Sequence, residues 1–216
     1  MKLKHIEQYL QQLTFNFSNP KVHLEQYHTP PHLAATILHT IQNNYNDIDG
    51  KTVLDLGCGS GILTFGSILL GADFCFALEC DKEILDIFID NKNEFEITNC
   101  DAILFEINEK SLDSSVFKQK VDTVIMNPPF GTRNCGIDLA FVQYAADISK
   151  VVYSLHKTST RESILKKIQA FKNVEQVDVI AEMKYDLNQS YKFHKKSLHD
   201  VEVDLLRIIT SDYNNS

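Results

Sequence analysis

Val53-Leu54-Asp55-Leu56-Gly57-Cys58-Gly59-Ser60-Gly61 reads as an apolar strand entering a glycine turn and then a helix. Glycine lets the backbone turn sharply and lets a ligand approach the main chain with no Cβ in the way. The spacing is G-x-G-x-G and not the G-x-G-x-x-G of dinucleotide loops, so no pyrophosphate need be cradled. A nucleoside carrying an amino acid suits such a turn, with Asp55 supplying negative charge near the ligand ammonium, directly or through water. A plain strand–helix junction can also carry these glycines, so the neighbouring segments must decide. Glu79 closes the next apolar run, where an acid can accept both hydrogen bonds of a ribose diol. Glu106 closes a third run, placed to meet an adenine amino group.

Around this turn, short apolar runs alternate with amphipathic stretches. The pattern predicts strands over 52–56, 74–79, 102–107, 121–126, 151–155, 177–183 and 203–209, and helices over 61–70, 82–95, 137–148 and 159–171. Ser159 with Glu162 has the spacing of a capping box for the last helix. Strands alternating with helices imply a Rossmann-like α/β fold, a mostly parallel sheet of seven strands with helices on both faces. The last two strands have no helix between them and should form an antiparallel pair at one edge. Upstream, Leu3, Ile6, Leu10 and Leu13 share one helical face, and Thr29-Pro30-Pro31 marks the start of a second helix. We therefore expect an N-terminal helical extension over 1–50, a catalytic domain over 51–210 and a loose tail over 211–216.

Asp122-Thr123-Val124-Ile125-Met126-Asn127-Pro128-Pro129-Phe130-Gly131 ends the fourth strand. The two prolines remove two backbone donors and stiffen the turn. What remains is rich in acceptors, the side-chain oxygen of Asn127 and the carbonyl of Pro128, and two acceptors can hold both hydrogens of an exocyclic amine. The nitrogen lone pair is then aimed at an electrophile without a strong base, which is catalysis by positioning. Phe130 offers a flat face for a base to stack on. We assign Asn127, Pro128, Pro129 and Phe130 as the catalytic turn.

The chain has 216 residues, enough for one domain with a sizeable core and too few for two. Its net charge of -8 argues against general adhesion to nucleic acid. The segment 150–196 nevertheless holds ten Lys/Arg against five Asp/Glu, so RNA could meet one face. Lys192, Lys195 and Lys196, interleaved with Tyr191 and Phe193, are the candidate RNA-binding residues, with Lys157 and Arg161 extending that face. Cysteines 58, 75, 80, 100 and 135 are scattered without a Cys-x-x-Cys pair, which points to a reducing intracellular setting; nucleus and cytoplasm are the expected compartments. No signal peptide and no membrane-spanning run is expected. Pro30 and Pro31 fall between His28 and His32, and no third ligand is near, so no metal role is expected.

The glycine turn followed by Asn-Pro-Pro-Phe resembles the class I amino-methyltransferases of the adenine-N6 kind. More closely, the chain is similar to the methyltransferase-like-five family, which modifies an adenosine of small-subunit ribosomal RNA. The similarity covers nearly the whole chain, including Leu24-Glu25-Gln26-Tyr27, Tyr153-Ser154-Leu155-His156-Lys157 and Ser190-Tyr191-Lys192-Phe193-His194-Lys195-Lys196. By that resemblance Gln26, Thr29, Gly57, Ser60, Ile62, Glu79, Glu106 and Ile107, together with Asp55 and Gly59 of the turn, would line a site for S-adenosylmethionine, left as S-adenosylhomocysteine. Ser60 stands where the family has cysteine, and Glu79 and Glu106 where it has aspartate. The resemblance also implies a small zinc-binding activator subunit forming a heterodimer, and structured ribosomal RNA as substrate. Two other readings stay open here. One is a protein glutamine methyltransferase of the same fold, which typically carries tyrosine at the Phe130 position. The other is a cofactor-binding scaffold in ribosome assembly.

Overall fold

The structure, a computed structural model, describes residues 1–15, 21–107, 120–185 and 201–211. Seven strands form one sheet: β1 (Thr52–Leu56), β2 (Phe74–Glu79), β3 (Cys100–Leu104), β4 (Val121–Met126), β5 (Ser149–Lys157), β6 (Val174–Tyr185) and β7 (Val201–Thr210). Their spatial order is β3-β2-β1-β4-β5-β7-β6. The first five are parallel, and β7 runs antiparallel between β5 and β6. The seven-stranded, mostly parallel architecture expected from the alternation is present, and the antiparallel pair lies at one edge.

The chain leaves β1 toward β2 on one side, and β4 lies on the other. The turns after β1 and β4 therefore splay apart and open a crevice at the carboxyl ends of the strands, where open α/β sheets bind ligands.

Each face of the sheet is covered. Helices α1 (Leu3–Leu10), α2 (Pro31–Tyr45), α3 (Ile62–Leu69) and α4 (Lys82–Glu94) bury Ile6, Leu10, Leu38, Phe65 and Phe88 against one side. On the other, α5 (Ile137–Ile148) and α6 (Arg161–Gln169) bury Val142, Ala145, Ile164 and Ile168. Side chains alternate across a strand, so β1 sends Val53 to the first core and Leu54 and Leu56 to the second. Asp55 shares the Val53 face and sits beneath α3.

Asn91 of α4 is buried and joins the N-terminal extension to the glycine turn. Its amide donates to the carbonyls of Thr14 and Ser60, each at 3.0 Å, and accepts from the Thr14 N–H at 2.9 Å.

Four expectations need correction. The third strand, expected over 102–107, ends at Leu104, because β2 supplies its last partner at Glu79. Glu106 and Ile107 thus lie on the connection beyond the strand. Thr29 does not cap α2: Pro30 takes that place, Pro31 is the first helical residue, and the Thr29 hydroxyl is used elsewhere. The capping box of Ser159 and Glu162 is not formed. A 3-10 turn over Thr158–Thr160 precedes α6, whose N-cap Thr160 makes no side-chain cap bond and donates back to the Lys157 carbonyl. Ser211, expected in the loose tail, ties its N–H to Asn173 at 2.9 Å.

Candidate active site

The crevice between the β1 and β4 turns opens into a cleft of about 1010 Å³, counting its open mouth. Gln26, Gly57, Gly59, Glu79, Glu106, Ile107, Asn127 and Pro129 all line it. A smaller recess of about 340 Å³, its open mouth again included, shares Gly57, Gly59 and Asn127 and adds Thr29, Ser60 and Ile62. Residues expected from distant parts of the chain are thus brought to one place.

The glycine turn has the backbone this site needs. Gly57, Gly59 and Gly61 have φ of +79°, +55° and +98°, the left-handed region where a side chain is strained. A Cβ at Gly61 would run into the rings of Phe65 and Phe88, so that position serves packing, whereas one at Gly59 would meet nothing and face open space.

Asp55 lies behind the turn and outside the cleft lining. It is 1% exposed, and its Oδ2 accepts from the Thr64 N–H (2.9 Å) and hydroxyl (2.7 Å). Its Oδ1 is buried with no hydrogen-bond partner among the described residues. Burial pushes the carboxyl up to about 7, with Thr64 acting against the rise and Glu79 adding to it. A buried acceptor without a donor is costly, and a cationic group on the cleft side of the turn would favour the charged form of this carboxyl.

Glu79 is half committed to the protein. Oε1 accepts from the N–H groups of Cys80 and Asp81, both at 2.9 Å, and Oε2 accepts from Gly59 N–H at 3.0 Å. A carboxylate oxygen has two lone pairs, so Oε2 keeps capacity for one ligand hydroxyl. Asp81, absent from the sequence reading, organises the next layer. It accepts from Lys21 Nζ and Gln26 Nε2, both at 2.7 Å. Burial would raise its carboxyl, but Lys21, Gln26 and the Glu83 N–H outweigh burial and hold it low. Gln26 is thereby fixed at both ends, since its Oε1 accepts the Lys21 N–H at 2.7 Å.

On the opposite wall, Asn127 donates from Nδ2 to the Thr29 hydroxyl at 2.9 Å. That bond sets the rotamer and makes Oδ1 the acceptor end of the amide. Pro128 is buried beneath the turn. The Phe130 ring lies 6.2 Å from that of Tyr27, stacked at 23°, and Lys157 Nζ sits 5.5 Å from its centroid. The Phe130 N–H donates to Glu25 Oε2 at 3.1 Å.

Tyr27, Glu25 and Asp81 are site residues that local pattern did not single out. The apolar lining of the cleft, with Leu56, Leu78, Phe105 and Phe141, was also missed, because such residues at strand and helix ends read as core. Arg161 does not extend a cationic face. Its guanidinium forks onto Asp204 with two bonds of 2.7 Å and pairs with Glu182 at 3.0 Å. Lys192, Lys195 and Lys196 lie outside the described residues.

The chain matches the family described as Conserved hypothetical protein 95 over residues 29–185. It is 49% identical to the zebrafish (Danio rerio) rRNA N(6)-adenosine-methyltransferase METTL5, over 96% of this chain and 98% of the relative. It is 44% identical to the Drosophila melanogaster rRNA N(6)-adenosine-methyltransferase Mettl5, covering 96% of each. Among solved structures, PH1948 of Pyrococcus horikoshii, provisionally named an RNA methyltransferase, superimposes with a TM-score of 0.80 at 35% identity, over 96% of this chain and 98% of that one. With a cleft at the switch point of the sheet and an acceptor-rich turn on its wall, the chain is a methyltransferase that belongs to the Conserved hypothetical protein 95 family and to the family of the METTL5 enzymes.

Proposed function

We propose that this methyltransferase modifies N6 of an adenosine in structured small-subunit ribosomal RNA, with S-adenosylmethionine as donor. The observation that carries the reading is the fixed Asn127 amide, which lines both the main cleft and the recess beside the glycine turn. Donor and acceptor would therefore meet at one side chain. The names of the METTL5 relatives support the substrate class.

The residues present fit the donor. Gly59 faces open space where a ligand backbone can approach and Glu79 Oε2 can take a ribose hydroxyl, while Asp55, behind the turn, would act on a ligand ammonium through its charge and not by lining the cleft. The apolar walls Leu56, Leu78 and Phe141 suit an adenine ring. Bound there, S-adenosylmethionine supplies a methyl group on a positively charged sulfur. The protein's work is on the acceptor. Asn127 Oδ1 and the Pro128 carbonyl hold the two hydrogens of the adenine amine, which orients the lone pair. Phe130 stacks on the base and keeps its plane fixed. No residue need abstract a proton before transfer, because the amine becomes acidic only once methylated and then yields its proton to solvent.

Two further parts of the reading concern partners. We propose that Lys192, Lys195 and Lys196 contact phosphates of the RNA, and that a small zinc-binding subunit adds to the β3 edge. Among the described residues β3 is the outermost strand on its side; Leu104 at its end is 55% exposed, and Ile89 of α4 is exposed too. An uncovered apolar edge invites strand addition. The decisive experiment is mass spectrometry of small-subunit rRNA nucleosides from cells with and without the protein. Loss of N6-methyladenosine, restored by wild type and not by Asn127→Ala, is the expected result. An unchanged N6-methyladenosine level would overturn the assignment.

A further inference from the structure

The two prolines that make the 127–130 turn rich in acceptors also leave it unable to fasten itself. Pro128 and Pro129 carry no N–H, so the first backbone donor after Asn127 belongs to Phe130. That donor goes to Glu25, more than a hundred residues earlier, and so does the N–H of Arg133, to Oε1 at 2.8 Å. Glu25 is 5% exposed, and its backbone sits at φ +49°. Glycine would adopt that backbone at lower cost. What glutamate adds is a carboxylate spanning two donors three residues apart. Bonds from N–H groups to a carboxylate are charge-assisted and stronger than neutral ones.

The same short segment grips the turn twice more. Thr29 takes the Asn127 amide, and Tyr27 stacks on the Phe130 ring. A further bond runs the other way, from Gln26 to Asp81 beside Glu79. Residues 25–29 therefore bridge the cofactor wall and the acceptor turn.

We infer that Glu25 is a positioning residue: it clamps the backbone of Phe130 and Arg133 and thereby sets the plane on which the target base stacks. This rests on the reading of 127–130 as the acceptor turn.

The test uses Glu25→Ala and the near-isosteric Glu25→Gln in the purified protein, with small-subunit rRNA from cells lacking the enzyme as substrate. A displacement of about 1 Å in a positioning element costs on the order of 100-fold in rate. Glu25→Ala should lose about that much kcat, with KM for RNA and affinity for S-adenosylmethionine within roughly threefold of wild type. Glu25→Gln keeps one acceptor oxygen and should recover part of the loss. Amide hydrogen exchange gives a readout independent of substrate, since the Phe130 and Arg133 amides should lose protection in Glu25→Ala. Full kcat, unchanged protection of both amides, or a parallel loss of cofactor affinity and melting temperature would each overturn the proposal. Asn127→Ala in the same assay separates the two ideas. If Asn127→Ala retains turnover, the acceptor-turn reading fails; if it is inactive while Glu25→Ala is fully active, only the clamp fails.

Discussion

Asp55 provides the sharpest quantitative test, because its carboxyl is buried, half-satisfied and displaced in pKa. An ordinary aspartate near 3.8 raised to about 7 corresponds to roughly 4 kcal/mol against ionisation, at about 1.36 kcal/mol per pH unit. The sign follows from proton counting. Between about pH 4 and 7 the folded chain holds a proton on Asp55 that the unfolded chain has released. Stability from this group is therefore complete below 3.8, falls as pH rises through the window, and is level above about 7. His28 and His156 act oppositely. Burial lowers both to about 4, so their contribution is present above their ordinary 6.5 and is lost as pH falls toward 4. Comparing wild type with Asp55→Asn at each pH removes the histidine contributions, which both proteins share. The stability of Asp55→Asn relative to wild type should rise by up to roughly 4 kcal/mol from pH 4 to pH 7 and then stay level.

The same carboxyl makes donor binding proton-linked. A ligand ammonium near Oδ1 favours the charged form, so binding below pH 7 should expel close to one proton and tighten about tenfold per pH unit between about pH 5 and 7. Titration calorimetry with S-adenosylmethionine, in buffers of different ionisation enthalpy, reads the proton directly. Asp55→Asn should bind more weakly at pH 7.5 and release none. Wild-type binding at pH 6 with no proton release, or identical pH dependence in the two proteins, would refute the placement of the ammonium at Asp55.

Asn127→Ala should leave affinity for S-adenosylmethionine within about threefold and remove most turnover, since the missing acceptor acts on the amine and not on the bound donor; single-turnover kinetics on rRNA checks this, and Phe130→Tyr should be milder than Phe130→Ala because stacking survives. Neutralising Lys192, Lys195 and Lys196 together should weaken RNA binding and reduce its salt slope by up to about 0.9 for each phosphate left without its lysine; equal slopes in filter binding would leave those lysines no role. Leu104→Pro on β3 should break a heterodimer formed by strand addition, because Phe105 N–H turns to β2 and the alternating Leu104 N–H faces the open side, where proline removes the donor; light scattering of the co-expressed species would show the mass unchanged if the partner sits elsewhere.

How much could be read from the chain depended on how local the signal was. The bounds of β1, β2 and β4 follow directly from compact apolar runs closed by Gly, Glu and Asn-Pro, and α5 likewise from its apolar periodicity. β5 and β6 are longer in the structure than their apolar centres, because Ser149, His156 and Lys157 still pair although they break the run, and β6 pairs from Val174 and Gln176 through to Lys184 and Tyr185. Sheet pairing there is set by β4 at Ser149 and otherwise by β7, far along the chain, and not by the local residues. The glycine turn and the Asn-Pro-Pro-Phe turn were legible because a turn advertises itself in composition. Glu25 and Asp81 were not. Each looks like a surface acid until its partners arrive from residues 130 and 133, or from residues 21 and 26.

That contrast explains why the N-terminal segment matters beyond packing. A Rossmann-like sheet supplies the crevice and the two turns, but a turn built from two prolines cannot hydrogen-bond itself into one pose. The missing bonds come from the segment before α2, which contributes Glu25, Tyr27 and Thr29 to the acceptor side and Gln26 to the cofactor side. Asn91 then joins the end of the N-terminal helix to the glycine turn. The extension is thus a structural member of the site: without residues 25–29 the acceptor turn would lose its anchors. On this argument the fold selects where a donor binds, and the 25–29 segment selects what is presented to it.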